Sequence, residues 1–203
     1  LKAFQSLDRN KIIEFATNLG IEPEIENGYL HEAHALGSFS GATPIQMAAA
    51  YAAFANGGTY NEPYTINRIV YRETGEEVPI EVESHRAMSD ATAFMITDVL
   101  KTSVQSGLAS GVRMNGVNLA AKTGTTNFPQ EALDQYNIPW GSVKDAWVVG
   151  YDPQYTISMW YGYEDITKGY NTSAQATRYR SLLVKALGNI VFTKNNQDFT
   201  VPN

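Results

Sequence analysis

The densest chemistry in the sequence lies in Ala120-Ala121-Lys122-Thr123-Gly124-Thr125-Thr126-Asn127. A lysine, three threonine hydroxyls, a glycine and an amide sit within and just beyond a strand expected over Val117 to Thr125. In a regular strand Lys122 and Gly124 share one face, and Thr123 and Thr125 the other. Gly124 takes a side chain away from the lysine's face, so a ligand backbone can lie close against the strand. Lys122 supplies positive charge, while threonine hydroxyls and strand N–H groups supply hydrogen bonds to an anionic ligand end. Together these groups make a carboxylate site on a sheet edge.

Two other readings compete for the same residues. Gly116 to Thr123 misses the phosphate-loop pattern by one residue, because Ala121 stands where glycine is required. Leu119, Ala120 and Ala121 also have strand character, and Pro129 interrupts the helix that must follow such a loop. The blander reading is a Lys-Thr-Gly-Thr stretch that only ends a strand. Elsewhere, His31 and His34 flank Glu32 in an expected loop, without the His-Glu-x-x-His helix of a zinc protease. Asn171-Thr172-Ser173 matches a glycosylation acceptor and is read as a chance match.

Composition narrows the choice of partner. The 203 residues include no cysteine, which excludes disulfides, thiolate metal sites and a thiol nucleophile. Fifteen Lys and Arg against 21 Asp and Glu give a net charge of −6. A chain that tracks nucleic-acid phosphates is usually basic, so nucleic acid is not expected as a partner. No apolar run reaches the roughly 18 residues of a membrane-spanning helix. The length suits one domain, with no repeat or linker dividing it.

Several elements must position the Lys-Thr-Gly stretch. Leu1 to Gln5 reads as the end of a helix. Asp8 caps a second helix that stops at Gly20, and Ile21 to Ser40 reads as a loop. Thr43-Pro44 opens an alanine-rich helix that ends at Asn56-Gly57-Gly58, expected to be buried on most sides. Ile66 to Arg72 and Val78 to Ile80 form a hairpin around Glu73-Thr74-Gly75-Glu76. Ser89 and Asp90 cap a long helix with Met95, Ile96, Val99 and Leu100 on its apolar side, ending before Gly107. Asp145 to Tyr151 and Tyr155 to Tyr163 are strands joined at Asp152-Pro153-Gln154, with Trp147 and Trp160 expected in the core. A last helix shows the apolar stripe Ala176, Tyr179, Leu182, Leu183, Ala186 and Leu187, closed by Gly188. The segment Phe128 to Val143 exceeds what two strands require. It either borders a site or packs as a hydrophobic flap. The expected fold class is α+β, an antiparallel sheet covered by helices on both faces.

Lys-Thr-Gly after a strand is one of three signatures of penicillin-binding proteins and class A β-lactamases. The surroundings resemble the penicillin-binding proteins, in particular their class A, bifunctional members. Pro44 to Gly58 followed by Pro63 is similar to that family's central helix and its exit. Ala121 to Asn127 and Asp145 to Pro153 resemble its two neighbouring strands, and Asp198 to Pro202 the end of its transpeptidase domain. The family also needs a nucleophilic serine in Ser-x-x-Lys and a Ser-x-Asn motif. No serine here is followed by Lys three residues on or by Asn two residues on. Ser181 and Lys185, four apart, read as a solvated helix pair. The resemblance therefore implies that residues 1–203 are the C-terminal portion of a transpeptidase domain, incomplete in this chain. Its N-terminal part, which carries the serine, is then an expected partner.

The resemblance further implies an acyl transfer. The serine attacks a D-Ala-D-Ala stem peptide and releases the last D-Ala, and a neighbouring amine takes the acyl group. β-Lactams mimic the first step and stay attached. Carried over by motif, Lys122 serves the proton relay and Thr123 and Thr125 bind the ligand carboxylate. The Thr125 N–H is half of an oxyanion hole and Gly124 makes room, with Thr126 and Asn127 completing the ligand-binding stretch. No metal or organic cofactor is implied. The implied location is the extracytoplasmic face of a bacterial membrane, anchored through sequence outside these residues. Two rivals remain open: a non-catalytic β-lactam or peptidoglycan binding module, and a D,D-carboxypeptidase or β-lactamase relative.

Overall fold

Helix starts follow their caps in the computed structural model, which describes residues 1–37, 41–192 and 197–202. Helix α1 spans Lys2–Ser6 and α2 spans Arg9–Thr17, the latter capped by the Asp8 carboxylate accepting from the Asn10 N–H. Helix α3, Pro44–Ala55, opens on a full capping box. Thr43 Oγ1 accepts from the Gln46 N–H, and Gln46 Oε1 accepts from the Thr43 N–H at 2.9 Å. Strand β1, Thr59–Asn61, follows and pairs antiparallel with β4, Ser84–Arg86. Between them β2, Arg68–Val70, and β3, Glu77–Pro79, form the expected hairpin, shorter than the apolar pattern and exposed throughout. Helix α4, Asp90–Ser106, starts where Ser89 Oγ accepts from the Thr92 N–H.

The main sheet has three antiparallel strands in the order β5–β6–β7: Ala120–Asn127, Val143–Tyr151 and Thr156–Gly162. The Asp152 carboxylate closes the β6–β7 turn by accepting from the N–H groups of Gln154 and Tyr155 at 2.8 and 2.7 Å. Helix α5, Gln130–Gln135, lies between β5 and β6, and α6, Arg178–Val191, follows β7.

Both faces of this sheet are covered, as the α+β reading expected. On one face Ala121 and Val148 pack with Val104, Val112, Met114, Leu119, Phe192 and Val184 of α6. On the other, Ala120 and Tyr151 pack with Phe199 and with Tyr51, Phe54 and Leu100 of α3 and α4. The Tyr151 hydroxyl is 3.0 Å from Thr97 Oγ1 within the core, so each polar tip satisfies the other. Burial pushes the Tyr151 phenol far above its ordinary range.

Several sequence expectations are corrected. On α4 the buried residues are Ala93, Thr97 and Val104, whereas Met95 and Val99 are 60% and 65% exposed. A polar Thr97 hid the true inward face, because its hydroxyl is paid for by Tyr151. On α6 the inward residues are Val184 and Gly188, and Leu182, Leu183 and Leu187 of the expected stripe are exposed. Gly188 does not stop the helix. It sits inside it, where an added Cβ would come within 2.7 Å of Phe192 and 2.8 Å of Met114. Shape, not apolarity, chose that face. The central helix α3 is half-buried over most of its length, with only Ala50 and Ala53 fully buried. Strand β5 begins three residues later than expected, after a turn at Gly116 with φ +78°. The loop read from Ile21 onward contains a 3-10 turn at Glu32–Leu36, and its last three residues lie outside the described residues. Trp147 and Trp160 are half-buried and belong to neither of the two main clusters.

Candidate functional site

Among the described residues, strand β5 is an edge strand, hydrogen-bonded to β6 on one side. Its burial alternates up to Thr123 and changes phase at Gly124, so the two threonines of one face differ in exposure. Lys122 is exposed, Thr123 is buried, Gly124 is half-buried, Thr125 and Asn127 are exposed and Thr126 is half-buried. Cross-strand partners share a face. Lys122 therefore lies on the same face as Val149 and Ser158, and Gly124 on the same face as Trp147 and Trp160. This is the face covered further along by α3 and α4. Thr123 and Thr125 lie on the α6 face.

The packing around Gly124 leaves room for a side chain. A Cβ there would stand 3.4 Å from the Cβ of Trp147, in ordinary contact, so the fold alone does not demand glycine. Nothing else comes within 4 Å of that position, so the strand is open on the lysine's face there. Trp147 is held next to Trp160, whose Nε1 donates to Asp145 Oδ1 at 2.9 Å. Trp147 was expected in the core; the structure puts it beside the lysine face instead. The register slips between Thr126 and Asn127, which ends the ladder and turns the chain into the segment before α5.

The Lys122 ammonium donates to the carbonyl oxygen of Thr123 at 2.5 Å. No carboxylate lies within ion-pair distance of it among the described residues, so its charge remains available to an anion. On the opposite face, Arg180 of α6 donates through Nη1 to Gly124 O at 2.6 Å and to Thr125 Oγ1 at 2.9 Å. Sequence reasoning missed Arg180. It stands 55 residues from Thr125, in a helix read only for its apolar stripe, and no local pattern joins the two.

Phe128 to Val143 forms its own small cluster. Phe128, Ala132, Leu133 and Ile138 are buried together with Tyr136 and Ile166 against them, while Trp140 is 85% exposed. This is the packing alternative for that segment, with one aromatic left outside. Two clefts are not lined by Lys122: one where α6 begins, lined by Gly111, Arg180 and Ser181, and one between the end of α3, α4 and Phe199. Among the described residues no three His, Asp or Glu side chains meet as a metal site, and no helix is long and apolar enough to cross a membrane.

A three-stranded antiparallel sheet with Lys-Thr-Gly on its edge strand and helices on both faces is the serine β-lactamase/transpeptidase-like fold. Residues 13–183 match the family described as the penicillin binding protein transpeptidase domain, and the chain belongs to that family. Its sequence is 44% identical over 165 residues to penicillin-binding protein 1A/1B of Bacillus subtilis, covering 80% of this chain and 18% of that protein. It is 36% identical over 191 residues to penicillin-binding protein 1A of Streptococcus oralis, covering 87% of this chain and 28% of that one. The chain thus spans less than a third of the length of either relative. In structure it resembles penicillin-binding protein PonA1 of Mycobacterium tuberculosis, with a TM-score of 0.75 at 23% identity, over 100% of this chain and 55% of that one.

Proposed function

We propose that this chain forms the Lys-Thr-Gly wall of a serine D,D-transpeptidase that cross-links peptidoglycan stem peptides and is acylated by β-lactams. The observation that carries this reading is the free edge of β5. An exposed lysine and an exposed threonine flank a glycine there, with no side chain to keep a peptide backbone off the strand. Membership of the transpeptidase family supports it.

On this reading the nucleophilic serine belongs to the rest of the parent protein. Its Oγ attacks the carbonyl of the penultimate D-Ala, forming a serine ester as the peptide bond breaks. The departing D-Ala amine takes the proton that the serine gave up, relayed through hydroxyls and amines that include Lys122. The Thr125 N–H, paired with the N–H of the serine, holds the negative oxygen of the tetrahedral intermediate. The exposed Thr125 hydroxyl binds the terminal carboxylate, with Thr126 and Asn127 extending the contact; Thr123, given the same role by its motif position, is only 7% exposed. An amine from a second stem peptide then attacks the ester, restores the serine and completes the cross-link. Substrate and drug share a carboxylate next to the bond that is attacked, which is why both fit one edge. The reaction takes place outside the cytoplasmic membrane, to which a further segment of the parent anchors the domain.

Labelling with a fluorescent penicillin tests the reading. The intact parent is expected to be labelled covalently and the 203-residue chain alone is not. Labelling of the isolated chain would mean that it carries its own nucleophile. An unlabelled parent would leave a binding module that never acylates. Product analysis with a stem peptide separates transpeptidation from hydrolysis, since a carboxypeptidase or β-lactamase relative would give no cross-linked product.

A further inference from the structure

Arg180 is a charged side chain from outside the Lys-Thr-Gly strand that hydrogen-bonds to it. We propose that Arg180 is a positioning residue for the carboxylate end of the ligand, acting through Thr125. The inference rests on the transpeptidase reading above and deepens it.

Three observations carry it. The first is direction. The guanidinium is donor-only, so Thr125 Oγ1 must accept from Nη1 at 2.9 Å. A hydroxyl has a single proton, and with a lone pair engaged by Arg180 that proton is free to be donated elsewhere. Thr125 is exposed at the sheet edge, so its proton is offered to whatever lies there. Arg180 therefore sets Thr125 as a donor, which is the role an anionic ligand end needs.

The second is charge. Arg180 is half-buried, its Nε is buried without a hydrogen-bond partner, and no carboxylate among the described residues forms an ion pair with it. Burial without a counter-ion lowers the pKa of the guanidinium from its ordinary value. A cation held in this way costs stability and gains it back when an anion arrives nearby. A staple between helix and sheet does not need a charge.

The third is geometry. The same Nη1 also binds Gly124 O at 2.6 Å, so Arg180 grips the two consecutive residues that form the open position and the donor of the site. Helix α6 brings it there because Val184 and Gly188, one and two turns further on, lock that helix onto the α6 face of the sheet.

The test compares two probes in the intact parent: a penicillin with its free carboxylate, and the neutral methyl ester of the same penicillin. In wild type the acid acylates faster. Arg180→Ala is expected to slow acylation by the acid about 10- to 100-fold, the effect of losing a hydrogen bond strengthened by charge, while the ester changes less than about 3-fold. Arg180→Lys is expected to recover part of the preference, because it keeps the charge but not the fixed fork. The acid-to-ester ratio is read within one preparation, so the fraction of folded protein cancels. Should the alanine variant fail to fold, the lysine variant decides: a wild-type ratio there overturns the proposal, and an intermediate ratio supports it. Equal loss with both probes would make Arg180 a staple only, and no loss with either would remove it from the site. If wild-type parent is acylated by neither probe, the transpeptidase reading itself fails, which is a different result from any of these.

Discussion

Lys122 has almost nothing structural to do. It is exposed, it sits on an edge strand, and among the described residues its side chain hydrogen-bonds only to the carbonyl of the next residue. Losing an exposed side chain of this kind leaves stability within about 0.5 kcal/mol. Losing a proton-relay group costs about 10²- to 10⁴-fold in rate. Lys122→Ala in the intact parent is therefore expected to melt at the wild-type temperature and to react with a penicillin orders of magnitude more slowly. Unchanged acylation would remove Lys122 from the site. The Lys-Thr-Gly residues were legible in the sequence because their chemistry is local: one strand supplies cation, gap and hydroxyls at fixed alternation. Arg180 and Trp147 were not. Arg180 reaches the strand from 55 residues away, and Trp147 comes beside Gly124 only through the β5–β6 register.

At the scale of elements, ends were legible and faces were not. The caps at Asp8, Thr43 and Ser89 bind backbone N–H groups two or three residues ahead, so sequence alone locates them. The faces of α4 and α6 depend on partners that are distant in the chain: Tyr151 for Thr97, and Met114 and Phe192 for Gly188. The segment 197–202 poses a similar case. Phe199 is buried edge-on against Tyr151, and Asp198 pins it by accepting from Lys101 Nζ at 2.6 Å and from the Phe199 N–H at 2.8 Å. Burial raises the Asp198 pKa, but the hydrogen bonds from Lys101 and Phe199 and the Lys101 charge outweigh it, and the carboxyl stays below its usual value. A depressed folded pKa contributes stability that is fully present above the unfolded value of 3.8 and is lost as pH falls through the folded one. Asp198 is half exposed, so solvent holds the contribution to about 1 kcal/mol or less. Hydrogen exchange at the Phe199 amide is expected to speed up, relative to the core of β6, only below that acidic range. Asp198→Asn is expected to show no such step. A step at neutral pH would contradict the pairing.

For the whole molecule, the net charge of −6 does not attract an anionic peptide; on the proposed reading, local charge at Lys122 and Arg180 does. The same contrast between local and global holds for apolar surface. The helices cover both faces of the sheet, yet each also turns an apolar side outward. Met95, Ile96 and Val99 on α4 are exposed, as are Leu182, Leu183, Leu187 and Ile190 on α6, the last at 83%. Among the described residues, no strand lies beside the outer edge of β7. Soluble monomers rarely leave large contiguous apolar patches or long bare edges open to water. Relatives at least three times as long have more chain with which to cover such surfaces, and the proposed serine-bearing part of the parent is the natural cover. The isolated 203-residue chain is therefore expected to bind an apolar fluorescent dye and to self-associate at micromolar concentration, while the intact parent does neither. Met95→Lys with Val99→Lys changes only exposed positions of this chain, so in the isolated chain it is expected to lower dye binding with little change in melting temperature. In the parent the same pair places two charges in the proposed contact and is expected to lower the melting temperature. A monodisperse, dye-free isolated chain, or a parent indifferent to both lysines, would mean that these faces meet only water.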